Sequence, residues 1–326
     1  MKKPRHIAYS HPTTVCCVDD NEHFLHGFER QLKPHTRLVT CTKADQALAV
    51  IRQSEGRMNQ EAIQKLDYAE DENLATYFVG INLASLLSLI YRPKRCEVIS
   101  VAIIDYEMPD MNGVELAEQL AHTNVGKIIL TAEADESLAV AAFNQGIIDQ
   151  FIPKTADSAK LEAEVLGVIE SLKQLYFQRL SKTIINNLGQ PLSALLNDVD
   201  FQALFHRVYV EANAVEYYLV DEHGSYLFLD KDANPTWLIV RDEEAIWQQI
   251  THLEEMDMPT EIVEQLKNKQ KLLFMPSEKD HQDPSGTLTE YLFDVDQLND
   301  HHFYSIAQGR ITKLVDWEKV RPCGQP

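Results

Sequence analysis

The chain alternates short apolar runs with amphipathic stretches. "VCCV" at 15–18 stops at "DDNE", and "EHFLHGFERQL" then carries Phe24, Leu25, Phe28 and Leu32 at helical spacing. Residues 37–42, "RLVTCT", alternate as a strand does, and 43–52, "KADQALAVIR", read as a helix. Residues 53–93 interrupt this rhythm. They begin polar and end apolar, with Leu83, Leu86, Leu87 and Ile90 in a helical stripe and Pro93 closing the segment, which predicts one or two helices. The rhythm then resumes. Residues 98–105 read as a near-continuous apolar strand, interrupted only by Ser100 and ending on Asp105, as expected of a strand covered on both faces. "GVELAEQLA" predicts a helix, "KIILTA" a strand, "DESLAVAAFNQG" a helix capped by Gly146, and "IDQFIPK" a fifth strand. The pattern therefore predicts an α/β unit, a doubly wound five-stranded parallel sheet with a helical insertion at about 53–93.

From Ser158 a long helix is expected, stopped by Gly189 and Pro191. Its Leu161, Val165, Val168, Leu172 and Leu175 follow heptad-like steps that Arg179 breaks, so it reads equally as a domain helix running into a linker or as a dimerising helix. Beyond it, "DVDFQALFHRVYVEA" predicts a helix. "EYYLV", "YLFLD" and "TWLIV", separated by "DEHGS" and "KDANP", predict an antiparallel meander. A helical region at about 242–270 and three further strands, in "KLLFM", "EYLFDV" and "HFYSIAQG", complete an α+β unit with an antiparallel sheet. The expected organisation is a first domain at 1–157, a connecting helix at 158–190 and an output domain at 191–326.

Composition narrows the partners. The chain has 326 residues, enough for two domains, and a formal charge of −20. Such a chain is a poor non-specific ligand for phosphate backbones and anionic membranes, which disfavours DNA. No apolar run reaches the ~18 residues of a membrane span, and "MKKPRHIAYSHPTT" lacks the apolar stretch of a signal peptide. Five scattered cysteines without zinc-ligand spacing read as reduced thiols of a cytoplasmic protein.

Ligands of a doubly wound sheet bind at the carboxyl ends of its strands. Four of those ends carry chemistry: Asp19 and Asp20, Asp105, Thr131 and Lys154. Three clustered carboxylates repel one another and call for a cation, and oxygen ligands with room for water suit magnesium. A lysine and a hydroxyl opposite would bind a tetrahedral anion, and a carboxylate between metal and ammonium can act as a nucleophile toward a phosphoryl group. Taken singly, "DD" or "D-G" is a turn or a cap. It is the co-occurrence of the four strand ends that points to chemistry.

With "VDDN", "IIDYEMPDMNG", "ILTA" and "FIPK" in this order, residues 13–157 resemble the receiver domain of two-component response regulators. The resemblance implies a flavodoxin-like fold with Asp105 as phospho-acceptor. It implies magnesium held by Asp19, Asp20, Asp105 and the backbone carbonyl of Glu107, and a phosphoryl group met by Thr131 and Lys154. It also implies a switch formed by Thr131, Ala132 and Phe151, with Met108, Pro109 and Gly113 shaping the loop after the acceptor. Two features depart from the family. Thr155 stands where a proline is usual, and Asp20 and Asp105 are 85 positions apart because of the 53–93 segment.

The domain order is similar to that of quorum-sensing response regulators. That similarity implies a sensor histidine kinase or phosphotransfer protein as partner and a homodimer formed on phosphorylation. The chain is expected to act as a phospho-acceptor at Asp105 rather than as an enzyme; no catalytic pair, phosphate loop or helix-turn-helix is legible in the second unit, which leaves any output enzyme activity open. The alternatives are a transcription regulator with an unusual DNA-binding output domain, and an output domain that binds a nucleotide or other small ligand.

Overall fold

The structure, a computed structural model, describes residues 7–55, 63–67, 77–81, 83–131, 136–154, 157–256, 258–281 and 288–323. The chain runs β1 (Tyr9–Ser10), β2 (Thr14–Val18), α1 (Glu22–Leu32), β3 (Arg37–Cys41), α2 (Ala44–Glu55), β4 (Ile63–Asp67), β5 (Tyr77–Ile81), α3 (Leu83–Leu87), β6 (Ile99–Asp105), α4 (Gly113–Gln119), β7 (Gly126–Thr131), α5 (Glu136–Asn144), β8 (Gln150–Pro153) and α6 (Ser158–Leu188). It continues α7 (Gln190–Asn197), α8 (Val199–Glu211), β9 (Ala214–Leu219), β10 (Tyr226–Asp230), β11 (Pro235–Asp242), α9 (Glu243–Glu255), α10 (Thr260–Lys267), β12 (Lys271–Leu273), α11 (Glu278–His281), β13 (Leu292–Asp294), β14 (Asp296–Gln297) and β15 (His302–Gln308).

Two compact units emerge. One holds Pro12–Glu61 and Lys94–Leu180; the other holds Met1–His11, Ala62–Pro93 and Ser181–Gly324. In the first unit five strands pair in parallel in the order β3-β2-β6-β7-β8. This is the doubly wound order with its switch point beside the first strand. Every residue of β6 and β7 is buried, Ser100 and Lys127 included, and this two-sided cover is why those segments are apolar at most positions up to their closing Asp105 and Thr131. One core cluster joins Leu25, Phe28 and Leu32 of α1 to Val101, Ile103, Ile128 and Leu130 of the sheet, and to Leu161, Val165, Ile169 and Leu172 of α6.

That cluster decides between the two readings of α6. Leu161, Val165 and Leu172 are buried in their own unit, and Val168 and Leu175 pack partly against the same core. The stripe therefore covers the parallel sheet of its own unit. The same packing carries the first unit to Leu180, past the boundary expected at 157.

The second unit is a six-stranded antiparallel sheet in the order β1-β9-β10-β11-β15-β14, beside the separate β12-β13 pair. The predicted meander is β9-β10-β11, and the helical region is α9 and α10. Trp237, Tyr218, Tyr226, Phe228 and Phe274 are its largest fully buried rings. A buried ion pair, Arg241 Nη1 to Asp221 Oδ2 at 2.8 Å, is braced by Ser225.

Three features were not visible in the sequence pattern. Residues 9–10 add a strand to the edge of this second sheet, Tyr9 opposite Tyr218, so they belong to the second unit although the first unit follows them in sequence. The 53–93 segment, expected to be helical, pairs Ile63–Asp67 with Tyr77–Ile81 as an antiparallel hairpin, in keeping with the β-propensity of its aromatic and β-branched residues 77–79. The apolar stripe at 83–90 is helical as predicted, but its unit is the second one. Leu86, Leu87 and Ile90 are buried there, the Ile90 carbonyl accepts from Arg321 N at 3.2 Å, and Tyr91 Oη accepts from Asp316 N at 2.8 Å. Cys16, Cys17 and Cys41 are free and buried, whereas Cys96 and Cys323 are disulfide-bonded, which corrects the reading of all five as reduced. No helix among the described residues is long and apolar enough to cross a membrane.

Candidate functional site

The carboxyl ends of the parallel strands gather the predicted residues. Asp19 follows β2, Asp105 is the last residue of β6, Thr131 the last of β7, and Lys154 follows β8. Parallel strands in register deliver their ends to one edge, so residues 135 positions apart, Asp19 and Lys154, come to 2.8 Å. Carboxylate oxygens of Asp19, Asp20 and Asp105 all lie within 4.8 Å of one another. Asp19 and Asp105 are buried and Asp20 is exposed.

Lys154 Nζ bridges two of these acids, at 2.8 Å from Asp19 Oδ2 and 2.8 Å from Asp105 Oδ1. The other Asp19 oxygen, Oδ1, accepts from Asn21 N at 2.8 Å, and Asn21 Oδ1 in turn caps α1 by accepting from Phe24 N at 3.1 Å. The helix start thus fixes the acidic loop. The loop after the acceptor is closed in a similar way. Gly113 N donates to the Tyr106 carbonyl at 2.9 Å, and Asn112 and Glu115 form a capping box on α4. Lys154 N donates to the Thr131 carbonyl at 2.8 Å, tying the fifth strand end to the fourth.

The electrostatics follow from burial. Burial is the largest influence on Asp105 and pushes its carboxyl up. The hydrogen bond and charge of Lys154 pull it down, the charges of Asp19 and Asp20 push it up again, and the net effect is a raised pKa. Burial alone would lower Lys154, but its hydrogen bonds to Asp105 and Asp19 outweigh this and hold the ammonium above its ordinary range. An acid whose folded pKa exceeds its unfolded value contributes stability that is complete below the unfolded pKa and is lost as pH rises through the folded one. In metal-free buffer, Asp105→Asn is therefore expected to melt above the wild type at neutral pH. That gap should close as pH falls through the raised folded pKa. A gap that widens on acidification would contradict the sign.

Thr131 is buried, and alternation along β7 puts it on the same face as Ile129, the register partner of Phe151. Phe151 meets Phe143 edge to face at 6.3 Å. Glu107 is exposed just beyond β6, so its side chain stands outside the acid cluster's burial. Ala132 and Thr155 lie outside the described residues. The structure adds two residues that strand-end reasoning missed. Asn21 holds Asp19, and Phe24 lies with its ring centroid 4.5 Å from Lys154 Nζ. The Asn after "DD", at the start of an amphipathic helix, was a capping signal in plain view; Phe24 read only as a core position of that helix.

The oxygen-rich, partly solvated donor set fits a hard divalent cation. Residues 76–166 match the family model of the response regulator receiver domain. The match contains Asp105, Thr131 and Lys154 but begins after Asp19 and Asp20, which the fold brings back to the same edge. The chain is 24% identical over 228 residues to the cyclic di-GMP phosphodiesterase response regulator RpfG of Xanthomonas campestris pv. campestris, an alignment covering 68% of this chain. It spans only about half, 55%, of that relative. The solved structure of the Legionella pneumophila response regulator LqsR is similar along nearly the whole chain. It is 28% identical, covers 97% of this chain and 94% of its own, and has a TM-score of 0.75.

Proposed function

We propose that this chain, a two-component response regulator with a receiver domain, accepts a phosphoryl group on Asp105 from a sensor histidine kinase or phosphotransfer protein. The single observation that carries the reading is the Asp105 carboxylate. Lys154 holds its Oδ1, and the Asp19 and Asp20 oxygens lie within 4.8 Å. One oxygen is pinned by an ammonium that can move on to a phosphoryl oxygen, while the other can attack phosphorus. The new P–O bond forms as the P–N bond to the donor's histidine breaks, leaving an aspartyl phosphate and a neutral imidazole after proton uptake. Asp19, Asp20, Asp105 and the Glu107 carbonyl would hold magnesium, which when bound offsets the charge of the acids and the incoming phosphoryl oxygens. Lys154 stabilises those oxygens from the other side, and Thr131 offers a hydroxyl at the adjacent strand end, with Phe151 as the aromatic on its sheet face.

The output we propose is a change of oligomeric state, with a homodimer favoured on phosphorylation, and protein contact rather than catalysis as the readout. The likeness to LqsR over both units supports this shared architecture, and the quorum-sensing context implied by domain order is part of the same reading. In the test, the full chain meets magnesium and acetyl phosphate and should gain one acid-stable, base-labile phosphoryl group. Beryllofluoride with magnesium should move it toward the dimer on a sizing column. A chain that takes no label in magnesium contradicts the acceptor role, and a labelled chain that stays monomeric contradicts the dimer output.

A further inference from the structure

We infer that Phe24 is a positioning residue that aims Lys154 at the acceptor through its ring face, an inference that rests on Asp105 being the phospho-acceptor. The Lys154 ammonium lies 4.5 Å from the Phe24 ring centroid while it bridges Asp19 and Asp105 at 2.8 Å each. A lysine arm has four rotatable carbons and a high entropic cost of being held. Two hydrogen bonds to carboxylates fix where the nitrogen is only while those carboxylates remain its partners. When phosphoryl arrives, the ammonium must turn to a new oxygen, and the ring face is a third contact that persists through that exchange.

The ring itself is rigidly placed. Phe24 stacks on Phe28 at 5.2 Å, and Phe28 is buried in the core under the sheet. Its backbone N–H donates to the Asn21 cap, and Asn21 N donates to Asp19. One continuous set of contacts therefore links core, ring, acidic loop and ammonium. Phe24 is only partly buried, so the site-facing side of the ring is not needed to fill the core. The aromatic quadrupole supplies what an aliphatic side chain of equal size cannot, an attraction for a cation that does not compete for its N–H donors.

The test uses the full chain with magnesium and acetyl phosphate and reads initial labelling rates. Phe24→Leu keeps an apolar, though smaller, side chain and loses the quadrupole, and should slow labelling about 2- to 30-fold, with the melting temperature held within about 2 °C. Phe24→Tyr should restore the rate. A series with 4-fluoro-, 3,5-difluoro- and 3,4,5-trifluorophenylalanine at position 24 drains the ring of electron density at nearly constant shape, and rates should fall in that order. The Lys154 Hε protons should show an upfield ring-current shift that disappears in Phe24→Leu, a readout independent of labelling. A flat fluorine series, a Phe24→Leu rate equal to wild type, or a rate that simply follows melting temperature overturns the positioning role. Asp105→Asn run in parallel separates the two failures. If it still takes label, the acceptor reading falls and this role falls with it. If it takes none while the fluorine series is flat, only the role of Phe24 is lost.

Discussion

Asp105→Asn is expected to take up no phosphoryl group from acetyl phosphate or a kinase under conditions that label the wild type fully. Three carboxylates share the site, so the assignment has to be argued among them. Asp19 is 1% exposed and both of its oxygens are engaged, Oδ1 by Asn21 N and Oδ2 by Lys154. Asp20 is exposed and has no ammonium beside it among the described residues. Asp105 alone combines slight exposure, 8%, with one oxygen held by Lys154 and the other without a hydrogen-bond partner among the described residues. Asparagine keeps the shape and removes the nucleophilic oxygen, so the loss of labelling should be complete while the fold persists. Acid-quenched, intact-mass measurement decides it. A mass shift of one phosphoryl group on Asp105→Asn would move the acceptor to another residue.

Gly113→Ala is expected to damage the same site from the backbone side. A Cβ at this position would come well inside 3.0 Å of the Asp105 carbonyl oxygen, with Ile129 Cδ1 at 3.1 Å behind it. The Asp105 carbonyl belongs to the fully buried strand β6, so it cannot swing aside as a flexible side chain would. The overpacking should cost about 1–3 kcal/mol. Because the strand end carries the acceptor, a displacement of about 1 Å should also slow labelling by roughly 10- to 100-fold. Gly167→Ala is the matched control. Nothing lies within 4 Å of a Cβ there, the residue is exposed on α6, and the substitution should stabilise by about 0.5–1 kcal/mol. Urea titration and labelling rate of the two variants, side by side, test the argument. Equal rates for Gly113→Ala and wild type would show that the loop yields where the packing says it cannot.

The acidic site was legible in the sequence because the physics that builds it is periodic. Buried parallel strands are apolar over most of their length, so the polar residue that closes each apolar run marks the sheet edge. "VCCV" before Asp19, the run ending on Asp105, "IILT" and "FIPK" placed all four edges without coordinates. The meander of the second unit was legible for a related reason, since Gly, Asn and Asp mark its turns.

What the sequence left undecided was everything that depends on which surface an amphipathic element meets. The stripe of α6 suited a partner helix and its own sheet equally, and only the core joining Leu161, Val165 and Leu172 to β6 and β7 chose the sheet. The helix at 83–87 and the strand at 9–10 lie next to the receiver in sequence yet are built into the other unit, because β9 offers the face and the free edge they need. Phe24 looked like one more core position of α1 until Lys154, 130 positions away, came to rest over its ring. Periodicity reports that a face will be buried. Only the tertiary structure, by fixing which edges and faces are adjacent, decides what buries it.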